Sequence, residues 1–216
     1  MNILEKEMVV ILKQLRDNYG VFEIKAEFEA EGSRMDEMMR LKDVTSLVNL
    51  PIIFKIGGVE AVTDIYNALQ IGVKGIVAPM AETPFALSKF LKMIDTVIAK
   101  DNAVDIDFAF NLETITAYEN MDDMFELPNI NLLQSMTIGR VDLTGSMGIG
   151  RAGVESEAVF DICRNAFIKA KAKGLKCALG GAISTETIPI IKKFNKEKLI
   201  DKFETRKVVF CSDAVK

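Results

Sequence analysis

Short apolar runs alternate along this chain with longer amphipathic stretches. The stretch VFEIKAEFEA sets Val21, Phe22, Ile24, Ala26 and Phe28 against Glu23, Lys25, Glu27 and Glu29, which predicts a strand with one polar face or one functional rim. PIIFKIGG, GIVAPM, DIDFAFNLE, NLLQSMTIG, KCALGG and KVVFCSD read as further short strands. Between them lie helical patterns. Residues 3–17 place Ile3, Met8, Ile11, Leu12 and Leu15 near helical spacing. Ser33 serves as the expected N-cap of a helix carrying Met35, Met38, Met39, Leu41 and Val44 inward. EAVTDIYNALQIG closes on Gly72, and TPFALSKFLKMIDTVIAK has Pro84 near its first turn. ITAYENMDDMFEL, ESEAVFDICRNAFIKAKAKG and TETIPIIKKF are the remaining helices, and RVDLTGSMGIGRAG reads as a long Gly-rich loop.

Strands that alternate with helices predict a parallel sheet with right-handed crossovers. A doubly wound sheet usually carries a phosphate loop after its first strand, and none stands here. The expectation is therefore an α/β fold, a (β/α)8 TIM-type barrel, filling residues 1–216 as a single domain. The seven strand candidates are one short of eight, and the chain stops just after a strand. Either the eighth element is irregular or the final helix is lacking.

Composition narrows the function. With 49% hydrophobic residues the 216-residue chain can build a sizeable core, which excludes a mainly disordered protein. A net charge of −4 and no Lys/Arg block argue against a nucleic-acid partner. No apolar run reaches the roughly 20 residues that span a bilayer, and the start shows no cleavable signal, so no membrane partner and a cytoplasmic location are expected. Cys163, Cys177 and Cys211 lack paired spacing, which argues against disulfides and zinc knuckles. The complete absence of histidine removes Ser-His-Asp and Cys-His chemistry.

Acid–base work then falls to carboxylates, lysine, tyrosine, cysteine or water. In a barrel of this kind the C-terminal strand ends form the active face. The polar residues expected there are Glu27 and Glu29, Lys55 with Gly57 and Gly58, Glu82, Glu113, Asp142, Gly180 with Gly181, and Ser212 with Asp213. Glu113 ends an apolar strand, and Asp142 sits among small residues that let backbone approach a ligand. Two carboxylates from neighbouring strand ends make a candidate Mg²⁺ or Mn²⁺ site. Lys55 could form a Schiff base, but a role as a positive charge is favoured. Arg140 and Arg206 are candidate anion clamps. Arg206 precedes its strand and is expected on the opposite rim, paired with Glu204.

The series VAPMAETPFAL, NLETITAYENMDDMF and IGRVDLTGSMG resembles the HpcH/HpaI aldolase and citrate lyase β-subunit family over about Phe22 to Asp213. That resemblance implies a phosphoenolpyruvate/pyruvate-type TIM barrel and a divalent-metal-dependent carbon–carbon lyase, working on an oxoacid or related carboxylate through an enolate. It implies Glu113 and Asp142 as ligands of Mg²⁺ or Mn²⁺. Lys55 stands where the family's aldolases carry arginine, Phe28 where many carry histidine, and Arg140 where a proline is usual. Lysine is a point charge without the bidentate fork of arginine. The expected roles are thus Lys55 and Glu27 in catalysis, with Glu27 or a metal-bound water moving the proton, and Gly57, Gly139 and Arg140 in substrate binding. The partners expected are a small anionic carboxylate and further copies of the chain in a homo-oligomer. The alternative reading is a divergent relative: a metal-dependent enzyme of other chemistry or a ligand-binding barrel.

Overall fold

The structure, a computed structural model, describes residues 1–28 and 30–215. Helix α1 (Ile3–Tyr19) opens on a reciprocal cap: Asn2 Oδ1 accepts from the Glu5 N–H at 2.9 Å, and Glu5 accepts from the Asn2 N–H at 2.6 Å. Gly20, at φ 73°, turns the chain into the barrel, and a Cβ there would lie 3.0 Å from both Cys211 Sγ and Ala214 Cβ.

Strand β1 (Val21–Glu27) leads to α2 (Met35–Ser46), β2 (Ile52–Lys55) to α3 (Val62–Ile71), and β3 (Gly75–Ala78) to α4 (Pro84–Val97). A single-turn helix, α5 (Lys100–Ala103), precedes β4 (Asp107–Leu112), which is followed by α6 (Ile115–Glu119) and α7 (Met121–Phe125). Strand β5 (Ser135–Gly139) runs straight into α8 (Arg140–Ser146). Then come α9 (Glu157–Ala172), β6 (Lys176–Gly180), α10 (Ile188–Lys196), β7 (Lys202–Glu204) and β8 (Val208–Cys211). The eight strands close into a barrel in sequence order.

Pairing is parallel from β1 through β7, but β8 is antiparallel to both β7 and β1. The all-parallel expectation and the count of seven strands are corrected together. Strand β7 has three residues, Lys-Phe-Glu, too short and too polar for a hydrophobic run to reveal it. Only residues 205–207 separate it from β8, and so short a link cannot carry a parallel crossover. The link turns instead, with the Thr205 N–H donating to the Val208 carbonyl at 3.0 Å.

Three smaller expectations also change. The first half of RVDLTGSMGIGRAG is helix α8 rather than loop, ITAYENMDDMFEL splits into α6 and α7, and α2 starts at Met35 after Arg34 instead of on Ser33. Thr83 and Thr114 cap α4 and α6, each accepting at 3.1 Å from the N–H three residues on.

The main core lies between the outer faces of the strands and the helices, where Phe54, Ile76, Phe110 and Met136 meet Ile65, Leu87, Phe90 and Phe167. Inside the barrel a small separate cluster of Ile53, Val77 and Ala109 takes the apolar part. The polar face of β1 points inward beside it, with Glu23 and Glu27 buried. Among the described residues no helix is long and apolar enough to cross a membrane.

Candidate active site

The strand register carries side chains from distant parts of the sequence to one rim. Glu27, last in β1, is the direct partner of Lys55, last in β2, and their side chains meet at 2.6 Å. Glu113 stands just beyond β4, and Gly139 and Asp142 stand at the end of the neighbouring β5 and in the first turn of α8. These residues line a cavity of about 450 Å³ together with Lys25, Asn111, Arg151, Glu204 and Arg206. Six of the residues expected on this face therefore converge: Glu27, Lys55, Glu113, Gly139, Asp142 and Gly181.

The Glu113 carboxylate is held from both sides. The Met80 N–H donates to Oε1 at 3.0 Å and the Asn111 amide to Oε2 at 3.2 Å. Met80 reaches this position at φ 49°, a strained conformation for a residue with a side chain, just after Pro79. Gly139 is required next to it, because a Cβ there would sit 2.7 Å from Glu113 Oε2. Burial pushes the Glu113 carboxyl above its ordinary pKa and neighbouring Asp142 adds to the effect, against the pull of the Met80 N–H, Lys55 and Asn111.

Beneath the rim the inner face of β1 continues as a series of ion pairs: Glu27 with Lys55, Lys25 with Glu204, and Glu23 with Lys202 at 2.9 Å. Burial disfavours the Lys25 ammonium, but the contact with Glu204 and the charges of Glu27 and Glu113 outweigh it and raise the pKa above 10.5. Lys25, Asn111, Glu204 and Met80 were all missed by sequence reasoning. An acidic or basic residue in an alternating strand ordinarily marks the solvent face. Here the period was readable and the direction of the polar face was not.

Four expected placements are corrected. Arg140 is 1% exposed, and its guanidinium donates to the carbonyls of Gly180, Gly181 and Val154 and to Glu155 and Thr187. It ties the β5 and β6 strand ends together and has no face toward the cavity. Gly57 lies outside the cavity wall, and its N–H donates to Asp64 at 2.7 Å. Arg206 is on the active rim, because the antiparallel hairpin turns there; it lies 3.6 Å from Glu27 and 3.1 Å from Glu31, while Glu204 pairs with Lys25. The same reversal sends Ser212 and Asp213 to the barrel floor, where the Cys211 N–H donates to the Gly20 carbonyl at 2.9 Å. Glu29 lies outside the described residues.

Glu113 and Asp142 fit a Mg²⁺ or Mn²⁺ ion by their chemistry. They are hard anionic oxygen donors beside an open polar cavity, and their mutual repulsion is the kind that a divalent cation relieves. No group of three or more His, Cys, Asp or Glu side chains converges to hold a metal among the described residues, so water and substrate would complete the shell.

No family model matches the sequence, and no curated protein matches it. Solved structures do match. An HpcH/HpaI aldolase from Desulfitobacterium hafniense DCB-2 superposes with a TM-score of 0.74 at 14% identity, covering 94% of this chain and 82% of that one. The citrate synthase SbnG gives 0.71 at 16% identity, covering 93% and 81%. An HpcH/HpaI aldolase/citrate lyase family protein from Burkholderia cenocepacia J2315 gives 0.71 at 11%, covering 89% and 80%. At such identities the likeness is one of fold: this chain has the barrel of the HpcH/HpaI aldolase and citrate lyase proteins.

Proposed function

We propose that the protein is a divalent-metal-dependent carbon–carbon lyase acting on an oxoacid or related small carboxylate by way of an enolate. The observation that carries the reading is the convergence of Glu113 and Asp142 with Lys55 in one rim cavity of this barrel. Mg²⁺ or Mn²⁺ held by the two carboxylates would supply electrophilic charge to the substrate oxygens. Lys55 brings a fixed positive charge to the place where negative charge develops, and Glu27 orients it through their 2.6 Å contact. Glu27 is also the carboxylate placed to take the proton. Arg151 and Arg206 at the cavity wall favour an anionic substrate.

One observation favours the alternative of a ligand-binding barrel. Glu27 is contacted by both Lys55, at 2.6 Å, and Arg206, at 3.6 Å, so each of its two oxygens already has an ion-pair partner. A single experiment separates the two readings: pyruvate in deuterated water with Mg²⁺, followed by proton NMR. The lyase reading expects the methyl protons to exchange, with the rate falling by about 10²-fold or more in Lys55→Ala. Line broadening that reports bound pyruvate, with no exchange, would establish the binding role instead.

A further inference from the structure

The barrel holds a second cavity, at the floor opposite the candidate active site. It measures about 310 Å³ and its walls include Glu23, Ile53, Val77, Asp107, Ala109, Ser135, Thr137 and Lys202. At about 30 Å³ per water, that volume suits a ligand of on the order of ten non-hydrogen atoms. A barrel interior is normally filled by branched side chains in layers. Here Gly75, Ala109, Ser135 and Thr137 occupy inward positions and leave space. The inward Ile53 and Val77 are each 8% exposed, whereas the outward Phe54 and Ile76 on the same strands are 0%. The lumen is thus open to small molecules from below.

Two sets of polar groups are unengaged there. Ser135 and Thr137 are 6% and 4% exposed, yet neither hydroxyl has a hydrogen-bond partner among the described residues. No side-chain N or O atom is sealed off without a partner, so both hydroxyls reach the cavity. Asp107 likewise makes no ion pair or side-chain hydrogen bond among the described residues, and only one oxygen of Glu23 is engaged, by Lys202. Of the wall's carboxylates, Glu23 pairs with Lys202, Glu204 with Lys25 and Asp201 with Lys171, which leaves Asp107 as the one without an ion-pair partner among the described residues. Burial pushes the Glu23 carboxyl upward against the pull of Lys202, and the charges of Asp107 and Glu204 add to the rise. Lys74 and Lys176 lie at the exposed mouth, and Lys74 donates to the Asp105 carbonyl.

We propose that the barrel floor is a binding site for a small organic ammonium ion. Its alkyl part would lie against Ile53, Val77 and Ala109, and its charged end would meet Asp107, Glu23 and the two hydroxyls.

The test is calorimetry of the whole chain with n-butylammonium chloride, with sodium butyrate as the control anion. Saturable one-site binding of the cation is expected, weakened tenfold or more by Asp107→Asn and lost in Ala109→Leu, which fills the cavity. Thr137→Val, nearly the same size, guards against a misfolded Ala109→Leu and should weaken binding several-fold. The variant Glu113→Gln with Asp142→Asn should bind as the parent does, which separates the floor from the acidic rim. No saturable binding by the parent chain would overturn the proposal. So would preference for butyrate, affinity unchanged by Asp107→Asn and Thr137→Val, or loss of binding in the rim variant.

Discussion

Single residues decide whether the rim can hold a metal. Glu113 is aimed by a strained Met80 N–H and by Asn111, and it packs against a residue that has no side chain. Gly139→Ala would put a Cβ into the space of the Glu113 carboxylate, at 2.7 Å from Oε2. We expect Mn²⁺ affinity, measured by calorimetry, to fall at least about tenfold, or ~1.4 kcal/mol, in Gly139→Ala. In Glu113→Gln with Asp142→Asn it should vanish, because amides are poor substitutes for hard anionic ligands. Unchanged affinity in that double variant would remove the metal site. The positions of Glu113 and Asp142 were legible because each follows an apolar strand run, and strand ends face the rim. The role of Arg140 was not legible. An arginine beside a candidate ligand looks like a substrate clamp until its donors are found bound to the Gly180, Gly181 and Val154 carbonyls.

At the level of elements, the β7–β8 hairpin is what distinguishes this barrel from an all-parallel one. Phe203 and Phe210 stack outside it with ring centroids 5.0 Å apart, and Arg206 and Lys207 fasten its tip to Glu31. Phe203 is buried, so Phe203→Ala removes both the stack and a filled volume. A loss of about 3–5 kcal/mol is expected, read as a lowered urea midpoint. A loss within about 0.5 kcal/mol, the size of an ordinary surface change, would mean that the hairpin does not hold the barrel closed. The hairpin was the least legible element, because a three-residue strand with charged residues at both of its ends has no periodicity to find. Missing it misplaced Arg206, Ser212 and Asp213 by the full height of the barrel.

Across the whole molecule, the lumen carries a run of ion pairs from floor to rim, and this makes stability depend on alkaline pH. The folded pKa of Lys25 lies above 10.5, since Glu204, Glu27 and Glu113 favour its charged form more than burial disfavours it. A group whose pKa is raised on folding stabilises the fold fully below its unfolded value, and that contribution is lost as pH rises through the folded value. The parent chain should therefore lose stability above about pH 10.5 more steeply than Lys25→Met, as measured by urea unfolding at a series of pH values. Parallel slopes in the two proteins would show that Lys25 is not stabilised in its charged form.

Much of this architecture followed from one-dimensional pattern. Alternating apolar runs and helical periods dictated a barrel, since strands joined by helices must lie parallel and bury both faces. Strand ends dictated where Glu27, Lys55, Glu113 and Asp142 would gather. Only the tertiary structure decided which way the polar face of β1 points. A period of two assigns residues to opposite faces without saying which face is inside, and closure of the barrel settled it by bringing Lys202 and Glu204 opposite Glu23 and Lys25. The direction of β8 was decided in the same way, by a link too short for a crossover, and with it the side of the molecule to which each of its neighbours belongs.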